Sequence, residues 1–87
     1  MEKTTKLLNK SGLHARPAAL FIKTAADFKS DIEIIYNGER LNAKSIMNIL
    51  SLALPIGAEI TISALGEDAK EAVEALVNLV ESKFGEE

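Results

Sequence analysis

The sequence predicts an α+β fold in which antiparallel strands carry helices on one face. Apolar residues alternate with a period of two in residues 31–36 and 58–65, and they recur at helical spacing in residues 15–28 and after Gly66. An Asn-Gly pair at 37–38 separates two strand-like segments, which is a strong hairpin signal. The predicted order is β-α-β-β-α-β-α, and its first six elements match the split βαβ pattern. A chain of 87 residues is expected to form a single domain, residues 1–87.

The first half of the chain supplies four of these elements. Residues 4–9, TTKLLN, form the first predicted strand. Pro17 then lies in the first turn of a helix predicted over 15–28, where a missing amide is tolerated. Residues 31–36, DIEIIY, and 39–43, ERLNA, are the two strands of the hairpin. The predicted apolar face of the helix consists of Ala18, Phe21, Ile22, Ala25 and Phe28, and that of the first hairpin strand of Ile32, Ile34 and Tyr36.

The second half supplies the remaining three elements. A short helix is predicted over 44–54 with Ser45 at its N-cap, and Pro55 and Gly57 end it. Residues 58–65 form a strand, and a last helix follows Gly66. Lys83 and Gly85 suit the C-terminal end of that helix, and the last three residues are expected to fray. The apolar stripe of the last helix is predicted to be Ala69, Ala72, Val73, Leu76, Val80 and Phe84.

The composition excludes several classes of protein. The absence of cysteine excludes disulfides and cysteine-based metal sites and favours a reducing, cytoplasmic compartment. The first residues do not resemble a secretory signal, and no apolar run approaches the roughly 20 residues that a membrane span needs. A net charge of −3 argues against a nucleic-acid footprint. We therefore expect no membrane insertion, no nucleic-acid partner, no metal and no cofactor.

The segment SGLHARPAA, residues 11–19, contains the single histidine of the chain, His14, directly before a predicted helix start. A lone histidine is more often a surface or turn residue, but here the free amides of Ala15 and Arg16 would form an anion site beside it. The Arg16 guanidinium suits phosphate oxygens, and an imidazole is largely neutral and nucleophilic near pH 7. These residues together predict a phosphohistidine site. Metal binding or a Ser-His-Asp hydrolase fits less well, because the further ligands and motifs that they need are not apparent.

Residues 46–54 carry apolar side chains all around a short helix, whereas a helix lying on a sheet needs only one apolar stripe. Either the helix is fully buried, or the surplus is exposed for a partner. We expect Ile49 and Leu52 to face the core, and Ile46, Met47 and Leu50 to form an exposed patch that suits several partners. Lys23 is either a solvated charge or an electrostatic supplement to this patch.

The motif GLHARPAA, followed by NAKSIMNILSLAL and GAEITISALGED, resembles the HPr family over essentially the whole chain. HPr proteins are the histidine-containing phosphocarriers of the bacterial phosphoenolpyruvate-dependent sugar phosphotransferase system. The resemblance implies an open-faced β-sandwich, with a four-stranded antiparallel sheet and three helices on one face. It also implies that Nδ1 of His14 takes a phosphoryl group from phosphorylated enzyme I and passes it to a histidine on the A unit of a sugar-specific enzyme II. Arg16 would steady the group, and the protein would be a monomeric carrier that does not turn over alone.

Ser45 has a structural interpretation as an N-cap and a regulatory one that comes from the resemblance. In Gram-positive-type relatives the matching serine is phosphorylated by an ATP-dependent HPr kinase/phosphorylase, and the product binds a catabolite-control regulator. A phosphate would add about −1.5 to −2 charges beside the docking patch and repel an acidic partner. The resemblance further implies that enzyme I, the enzyme II units and the kinase dock on that patch. Asn48 and Ala53 stand where many relatives have glycine, and we expect both to favour helix.

Two other functions remain open from the sequence. One is a regulatory protein that acts only in its seryl-phosphorylated form, although such relatives lack the active histidine. The other is a small nucleic-acid-binding α+β module of the kind that reads RNA with sheet aromatics and a basic surface. Tyr36 is the one aromatic residue in the predicted sheet and the net charge is negative, so this second function has little support.

Overall fold

The sheet is four-stranded and entirely antiparallel, with the strand order β1-β4-β2-β3. A computed structural model describes residues 1–10, 12–13 and 15–85 of the chain. The strands are β1 (Glu2–Lys6), β2 (Asp31–Tyr36), β3 (Glu39–Asn42) and β4 (Glu59–Leu65), and the helices are α1 (Ala15–Ala26), α2 (Ile46–Ser51) and α3 (Ala69–Glu81). The predicted fold class and the order β-α-β-β-α-β-α are confirmed.

Alternation along the two central strands separates a buried face from an open one. Ile34 lies opposite Ile62 in the β2–β4 register, and both are fully buried. Glu33 lies opposite Ser63 on the other face, where both are only half-buried. The hairpin between β2 and β3 turns at Asn37 and Gly38, whose φ angles of 50° and 82° are those that a tight hairpin turn requires.

The core lies between the buried sheet face and the helices. Phe21 is its largest fully buried side chain, and Leu76 of α3 is also fully buried. The predicted stripe of α3 is buried except for Ala69, which packs partly exposed against the core. On α1 the buried members of the predicted face are Ala18, Phe21 and Ala25, whereas Ile22 is half-buried. Phe28, which lies beyond the end of the helix, is half-buried as well.

The first strand runs from Glu2 to Lys6 rather than over residues 4–9. Pairing with β4 sets the two ends of this strand, because Glu2 pairs with Ser63 and Lys6 pairs with Glu59. Beyond Lys6 the chain turns away into a loop, and buried Leu7 donates its amide to the carbonyl of Ala58 at 2.9 Å.

The predicted helices are also too long at their C-terminal ends. α1 ends at Ala26, because Asp27 and Phe28 donate to carbonyls only three residues back. α2 ends at Ser51, and Ala53 adopts a left-handed φ of 47°. Ala53 is therefore not a helix-favouring residue here as expected: it lies outside the helix, in a conformation that costs a non-glycine residue about 1–2 kcal/mol. Asn48 lies within α2 as expected.

α3 ends at Glu81, so Lys83 lies near the end of the helix as expected but two residues beyond its last turn. Lys83 and Phe84 follow in left-handed conformations, with φ angles of 60° and 56°. This reversal turns Phe84 back to the core, where only 5% of it is exposed. Residues 86 and 87 of the predicted frayed tail lie outside the described residues.

Asp68, at the start of α3, ties this helix to the start of β2. Its carboxylate accepts hydrogen bonds from the amides of Lys29 at 2.8 Å and Ser30 at 2.9 Å, and from the Ser30 hydroxyl. The Ser30 hydroxyl first, and then the Lys29 amide, lower the pKa of Asp68 below its ordinary value of 3.8. The neighbouring Gly66 allows this close approach, since a Cβ there would lie 2.6 Å from the Ser30 oxygen.

We expect Asp68→Asn to lower the free energy of unfolding more at neutral pH than in acid. A carboxyl whose pKa falls on folding stabilises the protein above its unfolded pKa, and this contribution is lost as the pH falls through the folded pKa. Urea unfolding of the wild type and the variant from pH 7 down to about 2.5 would measure the gap between their free energies of unfolding. Asp27→Asn, at an exposed aspartate, is the matched control. A gap that stays constant with pH would contradict the prediction.

Candidate functional site

The predicted site lies at the N-terminal end of α1. His14 and Ser11 are outside the residues that the structure describes, so the site is defined by the neighbours of His14. α1 begins at Ala15, directly after it, and Ala15 and Arg16 are exposed while Pro17 is buried. The first turn contains no acidic residue. An exposed helix start of this kind directs free amides and a partial positive charge toward solvent.

Arg16 adds a full positive charge to this helix start. Within the described part of the chain, one ion pair is formed, between Arg40 and Glu33 at 3.1 Å. Arg16 forms no ion pair with a described residue. Its guanidinium is therefore available to phosphate oxygens, which it can bind with two parallel N–H donors. Ala15 and Arg16 thus lie at the exposed start of α1, and their binding of an anion stays a prediction.

The chain that enters this site is held against the segment that follows α2. Leu13 is fully buried and donates its amide to the carbonyl of Leu54 at 2.9 Å, forming an isolated antiparallel bridge. Gly57 donates to Leu7 at 2.7 Å farther along the same two segments. The side-chain amide of Asn9 donates to the carbonyl of Gly12 at 2.7 Å, which holds the loop from within.

The apolar patch predicted on α2 is only partly as expected. Ile46 and Met47 are 43% and 75% exposed, and Ile49 is fully buried. Leu52 packs half-buried against the core, as its predicted inward orientation requires. Leu50 also packs half-buried against the core, so the expectation that it is an exposed member of the patch is corrected. The six-residue helix is too short to turn one whole stripe away from the protein.

Other exposed groups surround the predicted set. Lys23 of α1 is exposed. Leu20 of α1 and Ile56, after α2, are 38% and 53% exposed, and neither belongs to the predicted patch. The exposure of Leu20 could have been predicted, because it does not lie on the apolar stripe of α1 that contains Ala18 and Phe21.

Ser45 is the N-cap of α2, as predicted. It adopts an extended conformation, with φ −111° and ψ 113°, and its hydroxyl accepts a hydrogen bond from the Asn48 amide. The distance of 3.4 Å is longer than that of an ordinary N–H···O bond, so this cap is weak. The side chain is half-buried.

Other kinds of site find little support in the described residues. None of these residues form a group of three or more histidine, cysteine or acidic side chains that could hold a metal ion. No helix among them is long and apolar enough to cross a membrane. A surface pocket of about 440 Å³ is lined by residues of β2, β3 and β4 and by Lys44, and it includes none of the predicted site residues.

Comparison with known proteins agrees with these features. The family model PTS-HPr, described as the PTS HPr component phosphorylation site, matches residues 1–82. The chain is 53% identical to HPr-C-His from Thermoanaerobacter tengcongensis, with a TM-score of 0.97, covering 100% of this chain and 98% of that one. It is 50% identical to the phosphocarrier protein HPr of Bacillus anthracis, with a TM-score of 0.89, covering 92% of this chain and 95% of that one.

A third similar structure is Crh, the catabolite repression protein of Bacillus subtilis, which is a domain-swapped dimer. It is 46% identical to this chain with a TM-score of 0.77, and the match covers 91% of each chain. A monomeric state for the present chain therefore stays a prediction. The family model covers nearly the whole chain and includes the helix start that carries Arg16, so this protein belongs to the HPr family, the phosphocarrier proteins of the phosphotransferase system.

Proposed function

We propose that His14 is the phosphoryl acceptor and donor of this carrier. The observation that supports it is the exposed start of α1 directly after His14, where free amides and Arg16 meet at one surface. The attacking Nδ1 must carry a lone pair, so the ring is neutral with its proton on Nε2. A P–N bond forms at Nδ1 while the bond between phosphorus and enzyme I breaks. The reverse exchange then delivers the group to a histidine on the A unit of enzyme II.

Arg16 and the first amides of α1 act on the charge of the phosphoryl group in both transfers. The helix backbone fixes its first amides before the reaction, and donors that are already in place stabilise developing charge at the smallest reorganisation cost. Catalysis of phosphoryl transfer depends mainly on such positioning and charge stabilisation. His14 is thus the reacting residue and Arg16 stabilises the phosphoryl charge, and the protein carries the phosphoryl group between enzymes in the cytoplasm rather than turning over alone.

Docking is assigned to Ile46 and Met47, with Lys23 as their electrostatic supplement. Met47 supports this assignment most, because a methionine that is 75% exposed offers an adaptable apolar surface to several partners. A partner that covers this surface would exclude water from the reacting phosphorus and so protect the group from hydrolysis.

Ser45 is proposed as a regulatory phosphorylation site for an ATP-dependent HPr kinase/phosphorylase. Its weak cap, at 3.4 Å, favours this role because little is lost when the hydroxyl is modified. The added charge would lie next in sequence to Ile46 and Met47 and oppose the docking of an acidic partner. The same phosphoserine would be the feature that a catabolite-control regulator binds.

A second candidate function is that of a seryl-phosphorylated effector without phosphoryl-carrier activity. The similarity to Crh of Bacillus subtilis favours it, at 46% identity. His14 opposes it, because relatives that act only in this way lack the active histidine.

Phosphosite mapping with two donors tests these assignments. We expect phosphoenolpyruvate with enzyme I to add one acid-labile phosphate to His14, and ATP with the kinase to add one acid-stable phosphate to Ser45. Mass spectrometry after brief acid and alkaline treatment would separate the two. A chain that takes phosphate only on Ser45 would be an effector and not a carrier.

A further inference from the structure

The loop that precedes His14 approaches the segment after α2 more closely than any side chain would allow. Gly12 has a φ of 65°, and a Cβ at this position would lie 2.1 Å from the carbonyl oxygen of Leu54 and 3.0 Å from backbone atoms of Pro55. These are backbone atoms that cannot rotate away. The contact therefore requires glycine both for its conformation and for its lack of a side chain.

This close approach allows the adjacent bridge. Leu13 donates its amide to the same Leu54 carbonyl at 2.9 Å, and both leucines are buried, with 0% and 2% exposed. Amide protons in buried backbone hydrogen bonds exchange slowly with water, so we expect this hydrogen bond to open rarely. Leu13 immediately precedes His14 in the chain, and α1 starts immediately after His14.

The partner side of the bridge is placed by Ala53. Its left-handed φ of 47° ends α2 and turns the chain so that the Leu54 carbonyl faces the loop. Strain of this kind persists only where surrounding contacts hold it. The bridge thus joins the residue before His14 to the segment that follows α2, the helix capped by Ser45.

We propose that the Leu13–Leu54 bridge, with Gly12 packed on the Leu54 carbonyl, is a positioning device for His14. Gly12 and Leu54 are positioning residues, because they act on the histidine through the backbone of Leu13. The device fixes the backbone on the N-terminal side of His14, as α1 does on its C-terminal side, and its role in transfer rests on the function proposed above for His14.

Gly12→Ala tests this proposal, with Gly38→Ala as the matched control. Gly38 has a comparable φ of 82°, but a Cβ there meets nothing within 4 Å, so the control carries the conformational cost without the clash. In Gly12→Ala we expect the Leu13 amide to exchange at least about tenfold faster. We also expect the imidazole NMR titration of His14 to shift its pH midpoint, and kcat for transfer from enzyme I to fall about 10- to 100-fold with little change in KM. Gly38→Ala should resemble the wild type in all three.

A second variant keeps the test decisive if Gly12→Ala does not fold. Replacing Leu13 by its α-hydroxy analogue removes the N–H donor of the bridge without adding an atom near Leu54, and it should change the His14 titration and kcat in the same way. Unchanged titration and kcat in that variant, or in a folded Gly12→Ala protein, would overturn the proposal. The NMR titration and exchange need no partner protein. A wild type that takes no phosphate would therefore refute the proposed function, while these two measurements would still decide whether the bridge positions the histidine.

Discussion

The His14→Ala variant is expected to take up no phosphate from phosphorylated enzyme I. The chain contains a single histidine and no cysteine, so this change removes the one imidazole and leaves no thiolate to replace it. Lysine amines are protonated at neutral pH, and serine or threonine hydroxyls are weak nucleophiles without an adjacent base. The expected result is therefore complete loss of the acid-labile phosphate rather than a slower reaction.

Radiolabelled phosphoenolpyruvate and catalytic enzyme I would measure this uptake. Phosphorylation of His14→Ala on Ser45 by the kinase controls for folding, because that reaction needs an intact docking surface but not the imidazole. Ser45→Ala is the complementary variant and should accept phosphate from enzyme I at the wild-type rate. Uptake of acid-labile phosphate by His14→Ala would refute the assignment of the acceptor.

The strands and helices with strong periodicity could be predicted from the sequence. β2 and β4 alternate cleanly, and the burial of Ile34 and Ile62 follows from that alternation. The prediction of the first strand over residues 4–9 is wrong because only Thr5 is buried within β1, so the burial pattern of this strand carries little information. Pairing with β4 defines this strand, and a long-range partner cannot be derived from local spacing.

The end of α2 shows a different limit. Alanine has the highest helix propensity, and so the sequence predicts that Ala53 extends the helix. The buried bridge between Leu13 and Leu54 instead requires the chain to turn at Ala53, and tertiary contacts override the local preference. The spacing of residues in the motif around His14 does not predict these contacts either, although they hold the loop that precedes His14.

For the candidate site, the helix start could be predicted but the extent of the patch could not. Pro17 and the apolar spacing after it locate the start of α1 within the motif. On α2, residues on all sides are apolar, so the pattern does not indicate which of them the core covers. Burial therefore separates half-buried Leu50 from exposed Met47 where the sequence treats them alike. The roles of these residues in docking stay predictions.

Arg16→Gln is expected to lower kcat for phosphoryl transfer about 100-fold, the scale of losing one placed donor of transition-state charge. Glutamine keeps a polar N–H group but loses the positive charge and the two-pronged geometry that matches phosphate oxygens. Arg16→Lys should recover only part of the rate, since an ammonium supplies the charge without that geometry. KM for enzyme I should change little, because Ile46 and Met47 remain available for docking.

Arg40→Gln is the matched control, because Arg40 is also an exposed arginine but lies on β3 and pairs with Glu33. It should transfer phosphate at the wild-type rate. Rapid-quench measurement of phosphoryl transfer at several carrier concentrations would separate kcat from KM. A rise in KM at unchanged kcat in Arg16→Gln would show that the guanidinium attracts the partner and does not act on the phosphoryl group. A fall in kcat confined to Arg16 variants would place its charge at the reacting phosphorus, because a purely attractive role in docking predicts the opposite division between the two constants.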